Sequence, residues 1–379
     1  MACTEKIAPF LAILLFLILP WSGQADGAAI FSNPSDWYQP DEVRVSSEDL
    51  FSSEPYTVDW MSRSFFFVGR LDDGMFFVFN PFFWQFGGFR SWGLTVLVTD
   101  EDGRLFSFNG SLPLTLNEMT MSGLDLELGG NLFQMSGSGT YVRIALKGFS
   151  CNLHITNILP AWKPGDGWAW YDSARKAFSR YAVAAPLAQV SGSITVFGQS
   201  TSADGQCFVD TSYSVQPLRR PNSPTYTMRA FSEPDVLAQD QVFVDMLSSI
   251  TDKSYGSLPL SMLLVAKGGS WLFTTRDFTL IPDDWASMDD PPFPYPRSYR
   301  VSASKSGYQL EGEFVVVRLY HTTDVFQSIP RFLRPLVSLF VKRPVLYRMI
   351  GWFDGSLVSP DGSLRKLALP AHGEYVLVK

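Results

Sequence analysis

The residues of this chain best suited to chemistry fall in one stretch, 186–213 (PLAQVSGSITVFGQSTSADGQCFVDTSY). Two runs of β-forming residues, 189–197 and 206–213, flank Asp204-Gly205, and Asp-Gly between such runs predicts a hairpin turn. The second run alternates two sets: Gln206, Phe208, Asp210 and Ser212 on one face, and Cys207, Val209, Thr211 and Tyr213 on the other. Asp210 is therefore a carboxylate in a half-apolar strand. Such a group is either bonded to backbone N–H groups or an Arg, or aimed as a polar group into a pocket. In apolar surroundings its charged form is disfavoured, which suits a proton donor.

The elements that position this stretch read as strands on both sides of it. Residues 56–67 and 75–80 flank Asp72-Asp73-Gly74 and carry Phe65, Phe66, Phe67, Phe76, Phe77 and Phe79, so both faces are aromatic. Strands of that kind are buried on both faces or line a cavity. Residues 92–99 and 104–108 flank Asp102-Gly103, and short β candidates continue to residue 158 at spacings typical of a sandwich or barrel. The loop 161–172 holds three tryptophans, which fold over a core end or offer a stacking surface. Residues 217–225, with three prolines and two arginines, read as a linker. Beyond it the β rhythm repeats, with Gly268-Gly269 as a hairpin turn and 283–296 as an acidic, proline-rich loop. Residues 324–340 have apolar spacing that fits a helix broken by Pro330 and Pro335. Arg229 and Arg348 are isolated cations among aromatic neighbours, expected to pair with a carboxylate or stack on a ring.

Composition narrows the classes. At 379 residues the chain is long enough for two domains. Aromatics make up 15% and charged residues only 18%, which fits an apolar, β-rich protein and not a disordered one. A net charge of −7 and the lack of any basic run argue against a nucleic-acid partner. Residues 1–25 read as a secretory signal: Lys6, an apolar run over 7–19, then Gly23 and Ala25 before the cleavage point. The mature chain is expected in the periplasm or outside the cell, without a stable membrane span. Two cysteines then remain, Cys151 and Cys207, and whether they bridge is left open. His154, His321 and His372 stand apart, so neither a metal site nor another cofactor is expected. GxSxG, P-loop, HExxH and CxxC patterns are all missing.

One resemblance adds to this reading. Pro186, Val190, Gly192 and Ile194, followed by the run from Gly205 to Thr211, resemble the central signature of the lipocalin-like superfamily of AttH-like proteins, carotenoid 1,2-hydratases and fungal lipocalin-fold Diels–Alderases. Tyr295-Pro296, the run from Pro344 to Arg348, Gly351, Gly355, Asp361-Gly362 and Gly373-Glu374-Tyr375 follow in the same order. The likeness spans residues 56–379 and implies an all-β fold of two consecutive lipocalin-like antiparallel barrels packed together. The implied plan is a signal (1–25), an N-terminal arm (26–55), a first barrel (56–216), the linker (217–225) and a second barrel (226–379). It departs from the signature where hydratase-like members carry His, since Thr211 follows Asp210 here.

Three functions fit. The first is an exported protein that binds a hydrophobic small molecule, a lipid or isoprenoid. Phe65, Phe67, Phe77, Phe79, Trp84 and Trp92 would line its site, with Phe208, Asp210 and Tyr213 beside them. The second is an enzyme on such a molecule, a hydratase, isomerase or cyclase, with Asp210 as the acid. The third is a partner-binding protein with filled barrels. On the signal reading, N-terminal sequencing of exported protein begins at Asp26. A membrane-bound chain starting at Met1 contradicts it.

Overall fold

The computed structural model describes residues 29–30, 45, 47–50, 61–86, 89–100, 103–113, 119–122, 125–136, 138–171, 177–215, 222–251, 257–289, 293–324, 334–335 and 343–378. The expected signal lies outside these residues, as do most of the arm, most of the linker, and the 324–340 segment apart from Asp324, Arg334 and Pro335.

The described chain is nearly all antiparallel β, in two large sheets. The first sheet opens with β1 (Ala29–Ile30), β2 (Met61–Leu71), β3 (Phe76–Phe86), β4 (Phe89–Thr99) and β5 (Leu105–Pro113). It continues with β6 (Met119–Ser122), β7 (Asp125–Leu128), β8 (Asn131–Ser136), β9 (Gly139–Leu146) and β10 (Phe149–Asn157). It closes with β11 (Trp168–Trp170), β12 (Phe178–Val196), β13 (Gln199–Ser202) and β14 (Gly205–Val215). The main strand order is β5-β4-β3-β2-β14-β12-β10-β9-β8-β7-β6. The sheet curls until Phe108 of β5 meets Phe149 of β10, ring centroids 5.3 Å apart.

The second sheet contains β15 (Asn222–Ala230), β16 (Val242–Thr251), β17 (Pro259–Lys267), β18 (Ser270–Thr275) and β19 (Thr279–Ser287). β20 (Pro294–Lys305), β21 (Tyr308–Asp324), β22 (Pro344–Val358) and β23 (Leu364–Val378) complete it. Its order is β18-β17-β16-β15-β23-β22-β21-β20-β19, and it curls until Phe273 of the end strand β18 stacks on Tyr308 of β21.

Period-2 alternation sorts the side chains into three cores. One fills the curl of the first sheet and another the curl of the second. The third is a layer between the sheets, with Phe66, Val68, Val183 and Phe208 from the first against Phe231, Phe243, Met262 and Leu264 from the second. This is the two-barrel lipocalin-like architecture that the sequence motif implies.

Two local expectations are corrected, and one open alternative is decided. Asp204-Gly205 does not join the two runs of the central hairpin directly. β12 first turns at Phe197-Gly198 (φ 48° and 86°) into β13, and β14 then pairs with β12 from Val190↔Gly205 onward. Two consecutive left-handed residues make the tight hairpin turn, but a Phe in the first position carries no turn signal. Residues 283–296 are not a loop throughout, since Thr279–Ser287 forms β19 and Pro294 begins β20. Pro282 is tolerated there because β19 is an edge strand. The tryptophan loop folds inward: Trp162 is fully buried, and Trp168 stacks on Trp170 at 4.6 Å against the first core.

Cys151 and Cys207 are free, buried thiols in that same core. Burial pushes the Cys151 thiol up to about 12, so it stays protonated and inert.

The motif glycine Gly192 has φ 137°, and a Cβ there would stand 2.1 Å from the Asn152 carbonyl oxygen on the paired strand. Gly192→Ala is therefore expected to destabilise the first barrel by about 1–3 kcal/mol in urea unfolding. A neutral result would contradict the register of β10 on β12.

Candidate functional site

The outer face of β14 faces the second sheet. In order it presents Gln206, Phe208, Asp210, Ser212 and Ser214, paired on β2 with Arg70, Val68, Phe66, Ser64 and Ser62. The face is thus polar at both ends, with Phe208 and Asp210 in the middle.

At the first end, Arg70, Asp72, Gln189 and Gln206 meet Phe231, Ser232, Pro234 and Gln241 around a cleft of about 170 Å³. Arg70 is held there by Glu233 at 2.7 Å, and Gln206 donates to Gln241 at 2.9 Å. At the other end, Ser64 and Ser212 are half-buried, and the Asn80 amide donates to Ser64 Oγ at 2.6 Å.

Between them lies a buried ionic cluster built from both sheets. Asp210 Oδ2 accepts from Tyr181 at 3.0 Å and from Arg229 Nη2 at 3.2 Å. Arg229 Nε stands 3.3 Å from Asp245, and its Nη1 donates to Thr227 Oγ1 at 2.7 Å and lies 3.7 Å from Glu374. The guanidinium also lies over Phe208 and Phe66, 4.8 and 5.3 Å from their ring centroids. Glu374 is shared with Arg348, whose Nε donates to it at 2.8 Å. Beside these stand His372, fully buried, and Tyr320, whose hydroxyl is 2.6 Å from His372 Nε2. Half-exposed His321 and Thr323 (3.1 Å apart) mark where the cluster reaches the surface.

Burial sets the protonation of this cluster. It raises the Asp210 carboxyl to about 6, against the opposing pull of Arg229 and the Tyr181 hydrogen bond. It raises Asp245 to about 7, where Arg229 again opposes and Asp210 adds to the rise. His372 is held well below the usual imidazole range by burial and then by Arg229 and Arg348, so its ring is neutral. Two cations face three carboxyls, so with every group ionised the cluster would carry one negative charge.

The residues singled out from the sequence divide between two places. Phe65, Phe67, Phe77, Phe79, Trp92 and Tyr213 lie inside the first barrel. They pack on one another and on their neighbours: Phe77 on Phe79 at 4.8 Å, Phe67 on Phe133 at 5.5 Å, Phe79 on Phe149 at 5.8 Å. The void beside Phe65, at the end of this core, measures about 10 Å³, too little for any organic ligand. Phe208 and Asp210 face the other way, into the seam between the sheets. Trp84 belongs to β3, and its side chain lies outside the described residues. Asp210 is therefore not a lone carboxyl in an aromatic lumen, and Arg229 is its partner. Tyr181, Asp245, His372, Tyr320 and Glu374 join the site only through the fold. Apart from Glu374, which lies in the Gly373-Glu374-Tyr375 piece that follows the motif, their sole sequence signal is polarity inside strands.

No family model and no curated protein matches this sequence. Solved structures do match by shape. An AttH protein of Nitrosomonas europaea is similar with a TM-score of 0.58 at 14% identity, over 93% of this chain and 98% of that one. Kievitone hydratase of Nectria haematococca gives 0.55 at 10% identity, over 95% and 99%. CghA with Sch210972 gives 0.57 at 10% identity, over 84% and 88%. These are the kinds of protein that the 186–213 motif resembles, and at such identities the likeness carries the fold.

The raised carboxyls have a stability consequence. Between about pH 4 and 7 the folded chain binds more protons at Asp210 and Asp245 than the unfolded chain does. Their contribution therefore falls as pH rises through that window. Asp245→Asn should remove much of this slope, gaining relative to wild type by on the order of a few kcal/mol at pH 7.5 compared with pH 4.5. Parallel pH dependences in denaturant melts would show that the seam carboxyls are not held as described.

Proposed function

We propose that this exported chain binds a hydrophobic small molecule of the lipid or isoprenoid class at the seam between its two sheets, over the Asp210 face. The carrying observation is the division of the aromatic and polar residues. The first barrel's lumen is filled by its own rings, whereas the hydrogen-bonding groups that could orient an apolar ligand converge on the seam. A ligand site is mostly apolar with a few polar groups. The seam has that makeup: Phe66, Ile350 and Leu247 among Tyr181, Asp210, Tyr320 and the half-buried Ser64 and Ser212. Entry is from the side where Tyr320, His321 and Thr323 are half-exposed. Two proteins of this fold add support by name, one a hydratase of kievitone and the other seen with Sch210972.

A second reading, an enzyme of the hydratase, isomerase or cyclase kind, is favoured by Asp210 itself. Its carboxyl, raised to about 6, keeps a proton on part of the population near neutral pH, and Tyr181 and Arg229 fix its direction. One experiment separates the readings. Organic extracts of purified wild type and Asp210→Asn are compared by mass spectrometry, and polyene extracts are assayed for turnover. Lost retention in the variant supports the binder. Retention with turnover reduced ~10²-fold or more supports the enzyme. Wild type that carries no apolar ligand and turns over none counts against both.

A further inference from the structure

The cleft at the Arg70 end of the seam has a floor of planar polar side chains. Gln189 on β12, Gln206 on β14 and Arg70 on β2 are direct cross-strand neighbours, so they form one row on one face of the first sheet. Asp72, just after β2, stands beside them. The wall comes from the second sheet, where Phe231, Ser232, Pro234 and Gln241 belong to the connection from β15 to β16. That connection is pinned. Ser232 Oγ donates to the Val242 carbonyl at 2.9 Å and accepts from its N–H at 2.6 Å, and the Gln241 carbonyl accepts from Gly268 at 2.9 Å. The Arg70–Glu233 and Gln206–Gln241 contacts tie floor to wall, so the cleft is preformed.

Several of its polar atoms are left over. Gln206 is only 7% exposed, and with its Nε2 given to Gln241 its Oε1 has no partner among the described residues. Arg70 gives Nη2 to Glu233, and its Nε and Nη1 are bonded to none of them. The Asp72 carboxylate likewise has no hydrogen bond or ion pair among the described residues, although it lines the cleft. The Gln189 amide reaches only the Val190 carbonyl, at 3.4 Å. Donors and acceptors therefore stand side by side. Charge disfavours ions here. An anion would meet Glu233 and Asp72, whose carboxyl is already held above its usual value by burial and then by Asp204. A cation would meet the Arg70 guanidinium. What fits is a neutral molecule that donates and accepts at adjacent atoms, as neighbouring hydroxyls do. Planar amide, guanidinium and carboxylate groups can each engage two of them. The volume of about 170 Å³ is far above the ~10–15 Å³ that one water needs and below the roughly 300–1,000 Å³ of drug-sized sites. The occupant is therefore of single-ring size.

We propose that this cleft is a binding site for a neutral polyhydroxyl molecule of single-ring size, a hexose or a cyclitol. It is separate from the apolar site over the Asp210 face and does not rest on that reading. On β14 the fully buried Phe208 lies between Gln206 and Asp210, and Phe243 packs on both Phe208 and Phe231, with ring centroids 6.3 and 5.5 Å away. Because floor and wall come from different sheets, the occupant also links the two barrels.

The test uses the full chain with D-glucose, D-galactose and myo-inositol as probes, and acetate and methylammonium as charged controls. In ¹H–¹⁵N spectra at least one neutral probe should shift the side-chain amide signals of Gln189, Gln206 and Gln241 saturably, with a Kd on the order of 1 mM. The charged controls should leave those signals in place. Gln206→Met should weaken binding roughly threefold to tenfold, and Gln189→Ala, a change at the exposed rim, roughly threefold. If Gln206→Met fails to fold, the wild-type amide shifts and Gln189→Ala still decide. No saturable shift with any neutral probe overturns the proposal. So does acetate or methylammonium binding more tightly than all three, or a neutral probe that binds Gln189→Ala as well as wild type and shifts none of the three amides. None of these outcomes touches ligand retention over Asp210.

Discussion

The seam turns on Arg229. Its guanidinium is buried between the sheets, within ion-pair distance of Asp210 on the first sheet and of Asp245 and Glu374 on the second. Its faces lie over Phe66 and Phe208, both from the first sheet. A lysine could not do this, because the task needs a planar fork of donors and a flat cation that stacks on rings. One side chain therefore fixes how far apart the sheets lie and which residues of β14 meet which residues of β15. The apolar layer around it is non-directional and would tolerate sliding. The ionic cluster would not.

That constraint makes the contrast between the two faces of β14 meaningful. The inner face sends Cys207, Val209 and Tyr213 into a lumen already filled by aromatic rings. The outer face sends Phe208 and Asp210 to the other sheet. Space for a ligand could lie in a lumen or between the sheets, and the aromatic richness of β2 and β3 fills the first of these. The same richness that suggests a cavity from sequence is what removes it. Phenylalanines at alternate positions on neighbouring strands meet their own kind across a small barrel before they meet a ligand.

Much of the architecture was legible because turns and alternation are local. Asp72-Asp73-Gly74, Gly268-Gly269 and Asp361-Gly362 mark reversals through φ values that only a few residue types adopt easily, and the strands around them alternate cleanly. Local signals failed where tertiary context outweighed them. Phe197 holds a left-handed conformation that no propensity favours, while its ring rests against Phe106 and Phe108. β19 forms through Pro282 because only one of its edges is paired. The site was legible by half. Asp210 could be singled out because a carboxylate inside a strand is unusual. Arg229 could be expected to pair with a carboxylate or stack on a ring, but not with which one, since Arg229, Asp245, Glu374 and His372 lie on strands of the other sheet, whose place beside Asp210 the sequence encodes only through the whole fold.

The cost of the cluster says what kind of feature it is. Removing two guanidiniums and three carboxyls from water costs several kcal/mol per ion before any pairing, and apolar residues of similar size often stabilise such a position as well or better. The surrounding layer, from Val68 and Phe208 to Phe243 and Met262, shows that apolar packing is already how most of the seam is held. Stability alone therefore gives no reason for charge at its centre. Direction does. Three carboxyls around Arg229 and Arg348 hold a charge balance that leaves Asp210 and Asp245 close to taking up a proton near neutral pH. The same cations keep His372 neutral beside Tyr320. An arrangement that fixes donors and acceptors at set points in a water-poor seam, and holds their protonation away from ordinary values, is what recognition or conversion of an apolar molecule needs and what packing of two barrels does not.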